Sequence, residues 1–259
     1  MNLLHALLLG IVEGITEFLP VSSTGHLILA AKLLSVPQTE FVKTFEIFIQ
    51  SGAILAVLML YGKDLLKKHD LLKKVIVGFI PTGIIGLALY KVVKTYLLGN
   101  SNIVLWSLAI GGIALILIEW AIKKKKITER TVTSISYKDA VIIGIVQAIS
   151  VVPGVSRSAA TIFGGLVIGM DRKTAVEFSF LLAIPTMLAA TGLDLAKTSY
   201  SFNASEWTAL AVGFITSFVV ALLAIKWLLS YIRKYSFIPF GIYRIIIAIF
   251  LAGLFFLGK

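Results

Sequence analysis

The chain contains no cysteine, which excludes disulfide bonds and thiolate catalysis. Charged residues are also scarce: Asp, Glu, Lys and Arg together make up 14% of the 259 residues, whereas soluble proteins have about 25%. Apolar side chains account for 58%, and the mean hydropathy is +0.98. This composition excludes an ordinary soluble domain and predicts an integral membrane protein.

Acidic residues are the rarer charged type, with 13 Asp and Glu against 24 Lys and Arg and a formal net charge of +11. A basic surplus of this kind is also typical of nucleic-acid binding. Here, however, the Lys and Arg residues stand in short clusters between apolar runs, where they orient helices in a bilayer. We therefore expect the lipid bilayer, and no nucleic acid, as a partner.

Apolar runs are long enough to cross a bilayer at six places, since a helical crossing requires about 20 residues. These runs are residues 42–61, 75–92, 103–122, 175–194, 207–229 and 238–257. Two other segments are interrupted: residues 2–19 by Pro20, and residues 140–152 by Pro153, after which residues 159–170 are apolar again. The sequence predicts an all-α membrane protein with about six transmembrane helices and two re-entrant helical hairpins.

Basic loops predict the orientation of these helices. The segments 63–74, 123–138 and 233–234 carry most of the loop Lys and Arg residues, and six crossings place all three on one side. Basic loops are typical of the cytoplasmic side. In that orientation the first interrupted segment opens to the outer face, and the second opens to the inner face.

Residues 10–24 and 144–158 share a sequence pattern at a constant spacing of 134 positions. Three pairs of polar positions correspond: Glu13 with Gln147, Ser22 with Ser156, and Ser23 with Arg157. We predict a single membrane domain, 1–259, with pseudo-repeats of about 1–122 and 135–257 that are related by inversion. Inverted repeats with broken helices bind substrate near the midplane, where the copies meet.

Two carboxylates stand out in the first copy. Glu13 and Glu17 lie four residues apart and therefore share one face of a helix. An acidic side chain at the centre of a membrane helix costs roughly 2.5–3.5 kcal/mol, so a function is expected for it. Close carboxylates suit a general base or a cation site. The alternative is a structural pair that is hydrogen-bonded to neighbouring helices.

Hydroxyl groups and a histidine follow these acids. Ser22, Ser23 and Thr24 come after Pro20 and precede an apolar run, which is typical of a helix N-terminus, where free N–H groups bind anions. Capping accounts for one hydroxyl but not for three. His26 lies near enough along the chain to exchange protons with a group bound there, and the alternative is a histidine with a structural role in the core.

The second copy supplies a cation, in the motif that runs from Pro153 to Ser158. Gly154 allows the backbone to approach a ligand, Ser156 begins a helix, and the planar fork of Arg157 suits phosphate oxygens. An arginine between apolar runs needs an anion. That anion is a phosphate group or, in a structural salt bridge, one of the two glutamates.

These two motifs, Glu13 to His26 and Pro153 to Ser158, closely resemble those of the undecaprenyl pyrophosphate phosphatase family, also called bacitracin-resistance proteins. The resemblance extends over essentially the whole chain in length, spacing and number of spans. It implies a membrane hydrolase that removes the terminal phosphate of undecaprenyl diphosphate. Such an enzyme recycles the lipid carrier for cell-wall synthesis and confers bacitracin resistance.

The functional residues of that family correspond to Glu13, Glu17, Ser22, Ser23, Thr24, His26, Ser156 and Arg157. With the motif residues added, we predict catalytic roles for Glu17, Ser23, His26 and Arg157. Substrate-binding roles are predicted for Glu13, Ser22, Thr24, Gly154, Ser156 and Ser158.

The resemblance also implies a divalent cation such as Mg²⁺, for which Glu13 and Glu17 are the predicted ligands, and no organic cofactor. The expected substrate is a polyprenyl diphosphate lipid at a site that opens to the outer face of the cell membrane. The nucleophile stays open between Ser23, His26 and water, and the number of protomers stays open, with a homodimer as one option. The alternative function is a transporter or flippase for an anionic polyprenyl phosphate, which would share the inverted repeats and the midplane site.

Overall fold

The computed structural model describes residues 1–97, 100–123, 130–197 and 201–256. Helices make up most of these residues, and no strand occurs in the described ranges. The helices are α1 (Leu3–Thr16), α2 (Ser23–Leu33), α3 (Glu40–Lys67), α4 (His69–Val92), α5 (Ser101–Lys123), α6 (Tyr137–Gln147), α7 (Arg157–Val167), α8 (Arg172–Lys197), α9 (Ala204–Ile232) and α10 (Ile238–Phe256). The predicted all-α class is confirmed.

The long helices account for the predicted spans. Five of them, α3, α4, α5, α8 and α9, are long and apolar enough to cross a membrane. The sixth predicted span lies in α10, which has 19 residues and a mostly apolar sequence. The prediction of a multi-pass membrane protein is therefore confirmed.

Some sequence predictions fall outside the described residues. They concern 124–129 in the basic segment 123–138, 98–99 and 198–200 in the two less basic loops, and 257 at the end of the last span.

Both interrupted segments are broken where the sequence predicts a break. The first helix ends at Thr16, and the next one begins at Ser23. In the second segment α6 ends at Gln147, a 3₁₀ turn covers Ala148–Val151, and α7 begins at Arg157. In each case proline and the polar residues after it end the helical hydrogen bonding and allow a new helix to start.

A serine with the same unusual conformation caps the second helix of each segment. Ser22 has a φ of 73° and Ser156 has a φ of 74°, values that residues other than glycine rarely adopt. The Oγ of Ser22 accepts a hydrogen bond from the N–H of Gly25 at 3.4 Å, and the Oγ of Ser156 accepts one from Ala159 at 3.1 Å. The two copies of the motif thus share a local backbone geometry.

The described parts of the basic loops lie together at one end of the helix bundle, which we call the basic end. There the Nε of Arg172 donates to a carboxylate oxygen of Glu119 at 2.9 Å, and the N–H of Phe237 donates to the same oxygen at 2.9 Å. The Nζ of Lys74 donates to the carbonyl of Thr133 at 3.1 Å. These contacts join α4, α5, α8 and the start of α10.

The two broken segments reach opposite ends of the bundle. Tyr137, at the start of α6, donates to Asp70 at 2.8 Å at the basic end, and α7 leads into α8 at that same end. By contrast, Lys32 in the last turn of α2 donates to the carbonyl of Leu254, near the far end of α10, at 3.2 Å. Re-entry from the lipid and the two pseudo-repeats stay predictions.

Close packing fixes the rotation of α10. A Cβ on Gly112 of α5 would lie 2.6 Å from the carbonyl oxygen of Gly241, and a Cβ on Gly241 would lie 2.7 Å from that of Gly112. Only glycine permits this backbone contact. The contact directs the next residues of α10, Tyr243 and Arg244, towards the two broken segments.

Candidate active site

An acid, a hydroxyl and a guanidinium group meet between the two breaks. The Oγ of Ser23 donates to one carboxylate oxygen of Glu17 at 2.6 Å, and an Nη of Arg157 donates to the other at 2.8 Å. All three side chains are buried or nearly so. Three of the four predicted catalytic residues are therefore in direct contact, although Arg157 is 140 positions from Glu17.

Arg157 is held on a second side by α8. Its other Nη donates to the carbonyl of Ser179 at 3.0 Å, and its guanidinium carbon lies 5.6 Å from the centre of the Phe18 ring. The Nε is buried and has no hydrogen-bond partner among the described residues. A buried donor without an acceptor is costly, so this guanidinium group suits an additional anion such as a phosphate oxygen.

Glu13 lies one turn before Glu17 on α1 and is completely buried. Neither of its carboxylate oxygens has a hydrogen-bond partner in the described parts of the chain. An isolated buried carboxylate is unfavourable unless it binds a proton or a cation. Its environment therefore fits the predicted cation site.

A cation at this position would not have a complete set of protein ligands. The described residues contain no group of three or more His, Cys, Asp or Glu side chains that could hold a metal. Mg²⁺, however, commonly uses one or two carboxylates and takes its other ligands from water and substrate phosphates. Glu13 and Glu17 fit that mode of binding.

The second copy of the motif supplies no acid. Gln147, which corresponds to Glu13, is fully buried, and its Nε2 donates to the hydroxyls of Thr82 at 2.8 Å and Thr186 at 3.1 Å. This amide is neutral and both of its donor contacts are made within the protein. The site is consequently asymmetric, with its acids in one half and Arg157 in the other.

His26 is near the cluster but is bound elsewhere. Its Nδ1 lies 2.8 Å from the carbonyl oxygen of Ser22, and its Nε2 lies 2.8 Å from the hydroxyl of Tyr243. Ser23 instead donates its hydrogen bond to Glu17. In this arrangement Glu17, and not His26, is the group positioned to accept the proton of Ser23.

The predicted substrate-binding hydroxyls differ in their surroundings. Ser22 and Ser156 cap α2 and α7, whereas the hydroxyl of Ser158 donates to the carbonyl of Phe18 at 2.7 Å and so joins the two broken segments. Thr24 is exposed and lies outside the buried cluster. Substrate binding by these four residues stays a prediction.

Gly154 has a positive φ of 89°, as a glycine in a tight turn allows. A Cβ at this position would lie 2.8 Å from the carbonyl oxygen of Val104 on α5. The close approach that the glycine permits is therefore to a neighbouring helix.

Arg244 is the site component that the sequence analysis missed. It is completely buried, and its hydrogen bonds to the described residues are all to carbonyl oxygens. Its guanidinium group donates at 3.0–3.3 Å to Pro20, Ser107, Leu108, Gly154 and Val155. One cation thus ties both breaks to α5. An arginine inside an apolar run is the signal that would have revealed it.

The family model described as "Bacitracin resistance protein BacA" matches residues 6–250. The chain belongs to this family. Similar relatives of this BacA family member are found in Sulfurihydrogenibium sp. (strain YO3AOP1), at 54% identity over 96% of this chain and 98% of the relative, and in Aquifex aeolicus, at 52% identity over 97% and 98%. A relative in Bdellovibrio bacteriovorus is 46% identical over 100% of this chain and 98% of its own. All three are named undecaprenyl-diphosphatase.

A Gly111→Ala substitution tests the importance of the Arg244 contacts in this BacA family member. The new Cβ would lie 2.8 Å from the guanidinium carbon of Arg244, which cannot withdraw because five carbonyl groups hold it. We expect the free energy of unfolding to fall by about 1–3 kcal/mol, the usual range for overpacking. Thermal unfolding in detergent measures this change.

Gly192→Ala is the matched control, because it adds the same methyl group to a helix at a position where no neighbouring atom of the described residues lies within 4 Å of the new Cβ. The control should be as stable as the wild type or more so, since alanine favours helix. Equal stability of the two variants would show that Arg244 tolerates displacement.

Proposed function

We propose that this protein is an undecaprenyl-diphosphate phosphatase, which converts undecaprenyl diphosphate and water into undecaprenyl phosphate and phosphate. This activity recycles the lipid carrier of cell-wall synthesis and confers resistance to bacitracin. The observation that carries the proposal is the contact of Ser23 and Arg157 with the two oxygens of Glu17. The names of the relatives, at about half identity over nearly full length, support the same substrate.

Positive groups at the site suit a diphosphate. Arg157 and Arg244 bring two guanidinium groups to the breaks, and α2 and α7 both begin there. The N-terminus of a helix offers free N–H groups and a positive dipole end to an anion. We assign the direct phosphate contacts to Arg157 and to these N–H groups, because the donors of Arg244 are already bound to carbonyl groups.

Substrate binding activates Glu17 in this proposal. Without substrate, the charge of Glu17 is balanced by Arg157 at 2.8 Å. A diphosphate competes for the same guanidinium group, so Arg157 holds the carboxylate less tightly and leaves it available to the Ser23 hydroxyl. Glu17 is already hydrogen-bonded to the Ser23 hydroxyl and needs no movement to accept its proton.

Ser23 is the nucleophile that this geometry favours. Its Oγ forms a bond to the terminal phosphorus while the bond from that phosphorus to the bridging oxygen breaks, so undecaprenyl phosphate leaves and the Oγ proton passes to Glu17. Arg157 stabilises the charge that develops on the phosphoryl oxygens. Water then forms a bond to the phosphorus of the phosphoserine while the bond from phosphorus to Oγ breaks; Glu17 returns its proton to Oγ, and phosphate leaves with the proton of the water.

Glu13 and Glu17 would hold the divalent cation, which when bound supplies charge neutralisation to the phosphate oxygens. Glu13 is the ligand we assign chiefly to this role, because both of its oxygens lack a partner among the described residues.

We assign the opening of the site to the outer face of the cell membrane. The last turn of α2 lies at the end of the bundle opposite to the basic end. The excess of Lys and Arg indicates that the basic end is cytoplasmic. The polyprenyl chain stays in the lipid while its diphosphate enters between the broken segments.

Phosphate release from undecaprenyl diphosphate by the purified protein tests this function. In detergent, without a membrane or a gradient, we expect steady turnover with one phosphate released for each undecaprenyl phosphate formed. A transporter or flippase moves its substrate across a membrane without breaking it, so it would release no phosphate in detergent. Absence of phosphate release, together with uptake of labelled substrate by proteoliposomes, would favour that alternative.

A further inference from the structure

Tyr243 contacts the one catalytic residue that lies outside the Glu17 cluster. Its hydroxyl is 2.8 Å from the Nε2 of His26, and the two rings are stacked with centres 5.5 Å apart and planes 14° apart. The two residues are separated by 217 positions in the sequence. The contact therefore depends on the docking of α10 against α2.

The hydrogen bonds of His26 define which ring nitrogen carries the proton. A carbonyl oxygen only accepts, so the Nδ1 of His26, 2.8 Å from the carbonyl of Ser22, must carry a hydrogen. In the neutral ring Nε2 then has a lone pair and no hydrogen. The hydrogen bond at Nε2 is consequently donated by Tyr243.

Both ring nitrogens are thereby engaged by the protein. A proton that enters or leaves at Nε2 must pass through the Tyr243 hydroxyl as long as this arrangement persists. His26 is 7% exposed, whereas Tyr243 is 41% exposed. Tyr243 is thus the accessible member of the pair.

The hydroxyl of Tyr243 has little freedom to leave this position. Glycine contacts fix the rotation of α10 on α5, and the following residue, Arg244, is anchored by five carbonyl groups. A ring that is held in one direction keeps its catalytic geometry without an entropic cost at each turnover.

We propose that Tyr243 is a positioning residue, which holds His26 in the tautomer with the proton on Nδ1 and through which Nε2 exchanges protons. As the tyrosine oxygen takes a proton from water, its own proton passes to Nε2, and the reverse transfer restores both groups. No net charge remains on Tyr243. The proposal rests on the proposed phosphatase activity and adds to it a proton-transfer role for His26, beside the transfer from Ser23 to Glu17.

Tyr243→Phe keeps the ring stack and removes only the hydroxyl. We expect kcat for undecaprenyl diphosphate to fall about tenfold or more, since general acid–base groups contribute roughly 10²–10⁴-fold. The KM should stay within about twofold, because Tyr243 is not assigned to diphosphate binding. Tyr235→Phe is the matched control: this exposed tyrosine follows α9 at the basic end, and its ring packs on Tyr231. The control should have wild-type kinetics.

A measurement without substrate separates positioning from a general loss of structure. The chain has only three histidines, so ¹⁵N-histidine NMR of the full-length protein shows three rings, and His5→Gln and His69→Gln variants identify the signal of His26. The wild-type ring should carry its proton on Nδ1. In Tyr243→Phe the Nε2 resonance should shift, while Tyr235→Phe should leave it unchanged.

Each outcome is decisive. A lower kcat with a shifted Nε2 resonance supports the proposal. An unshifted resonance, or a wild-type ring that is protonated on Nε2 in its neutral form, refutes the hydrogen-bond assignment, and a shifted resonance with unchanged kcat refutes a role in the reaction. If the wild-type protein releases no phosphate, the proposed function fails, whereas the NMR result still decides whether Tyr243 fixes the His26 tautomer.

Discussion

An Arg157→Lys variant is expected to release phosphate roughly 10²–10³-fold more slowly than the wild type, the usual effect of removing one donor to the charge of a transition state. Arg157 binds Glu17 with one Nη and the Ser179 carbonyl with the other. A lysine ammonium is a single point charge and cannot keep both contacts while it also binds a phosphate oxygen. The measurement is steady-state phosphate release with undecaprenyl diphosphate.

Arg130→Lys is the control for this change. Arg130 lies at the basic end, where it forms a partly exposed ion pair with Asp139 at 3.7 Å. Exposed ion pairs contribute little to stability, so we expect wild-type activity from this variant. Near-normal turnover by Arg157→Lys would contradict the role of the guanidinium group, provided that both variants unfold at similar temperatures.

A Glu17→Gln variant should be impaired to a similar or larger extent, by roughly 10²–10⁴-fold in kcat, if Glu17 is the base that accepts the Ser23 proton. The amide keeps the size of the side chain but does not take up that proton. It also removes the negative charge that faces Arg157 at 2.8 Å. Because Arg157 is then free for the phosphates, the KM should not rise, and the loss should appear in kcat.

Glu177→Gln is the matched control, since it removes the charge of a partly buried acid on α8 whose ion-pair partner is Lys173, at 3.9 Å, and not Arg157. Its kcat and KM should equal those of the wild type. A Glu17→Gln enzyme with a raised KM and an unchanged kcat would instead assign Glu17 to substrate binding. Wild-type turnover by Glu17→Gln would remove the carboxylate from the mechanism altogether.

The architecture could be predicted largely from the sequence. Hydropathy over about 20 residues is a local property, and it identified the five helices that are long and apolar enough to cross a membrane. The breaks were predictable because Pro20 and Pro153 are each followed by a cluster of polar residues that can cap a new helix. Proline alone was not sufficient, since Pro81 and Pro185 lie within α4 and α8.

The start of α7 agrees with the sequence prediction that Ser156 begins a helix. Other boundaries were less accurate: α4 begins at His69, before the apolar run predicted from residue 75, because the helix extends into the basic segment 63–74.

The types of residue that form the site could also be predicted from the sequence. Acids, hydroxyls and an arginine between apolar runs are costly in a membrane, and this cost marks them for a function. The same rule applies to Arg244, which the sequence analysis did not single out because no motif surrounds it.

The sequence by itself determined which segments are helices, where two of them break, and which polar residues stand at the breaks. Only the tertiary structure decided the partners: Arg157 and Ser23 with Glu17, His26 with Tyr243, and Arg244 with the carbonyl groups of both breaks. Helix propensity and hydropathy act between near neighbours in the chain. These contacts instead depend on how closely α10 packs on α5 and how the two broken segments meet, and that geometry arises only when distant helices pack together.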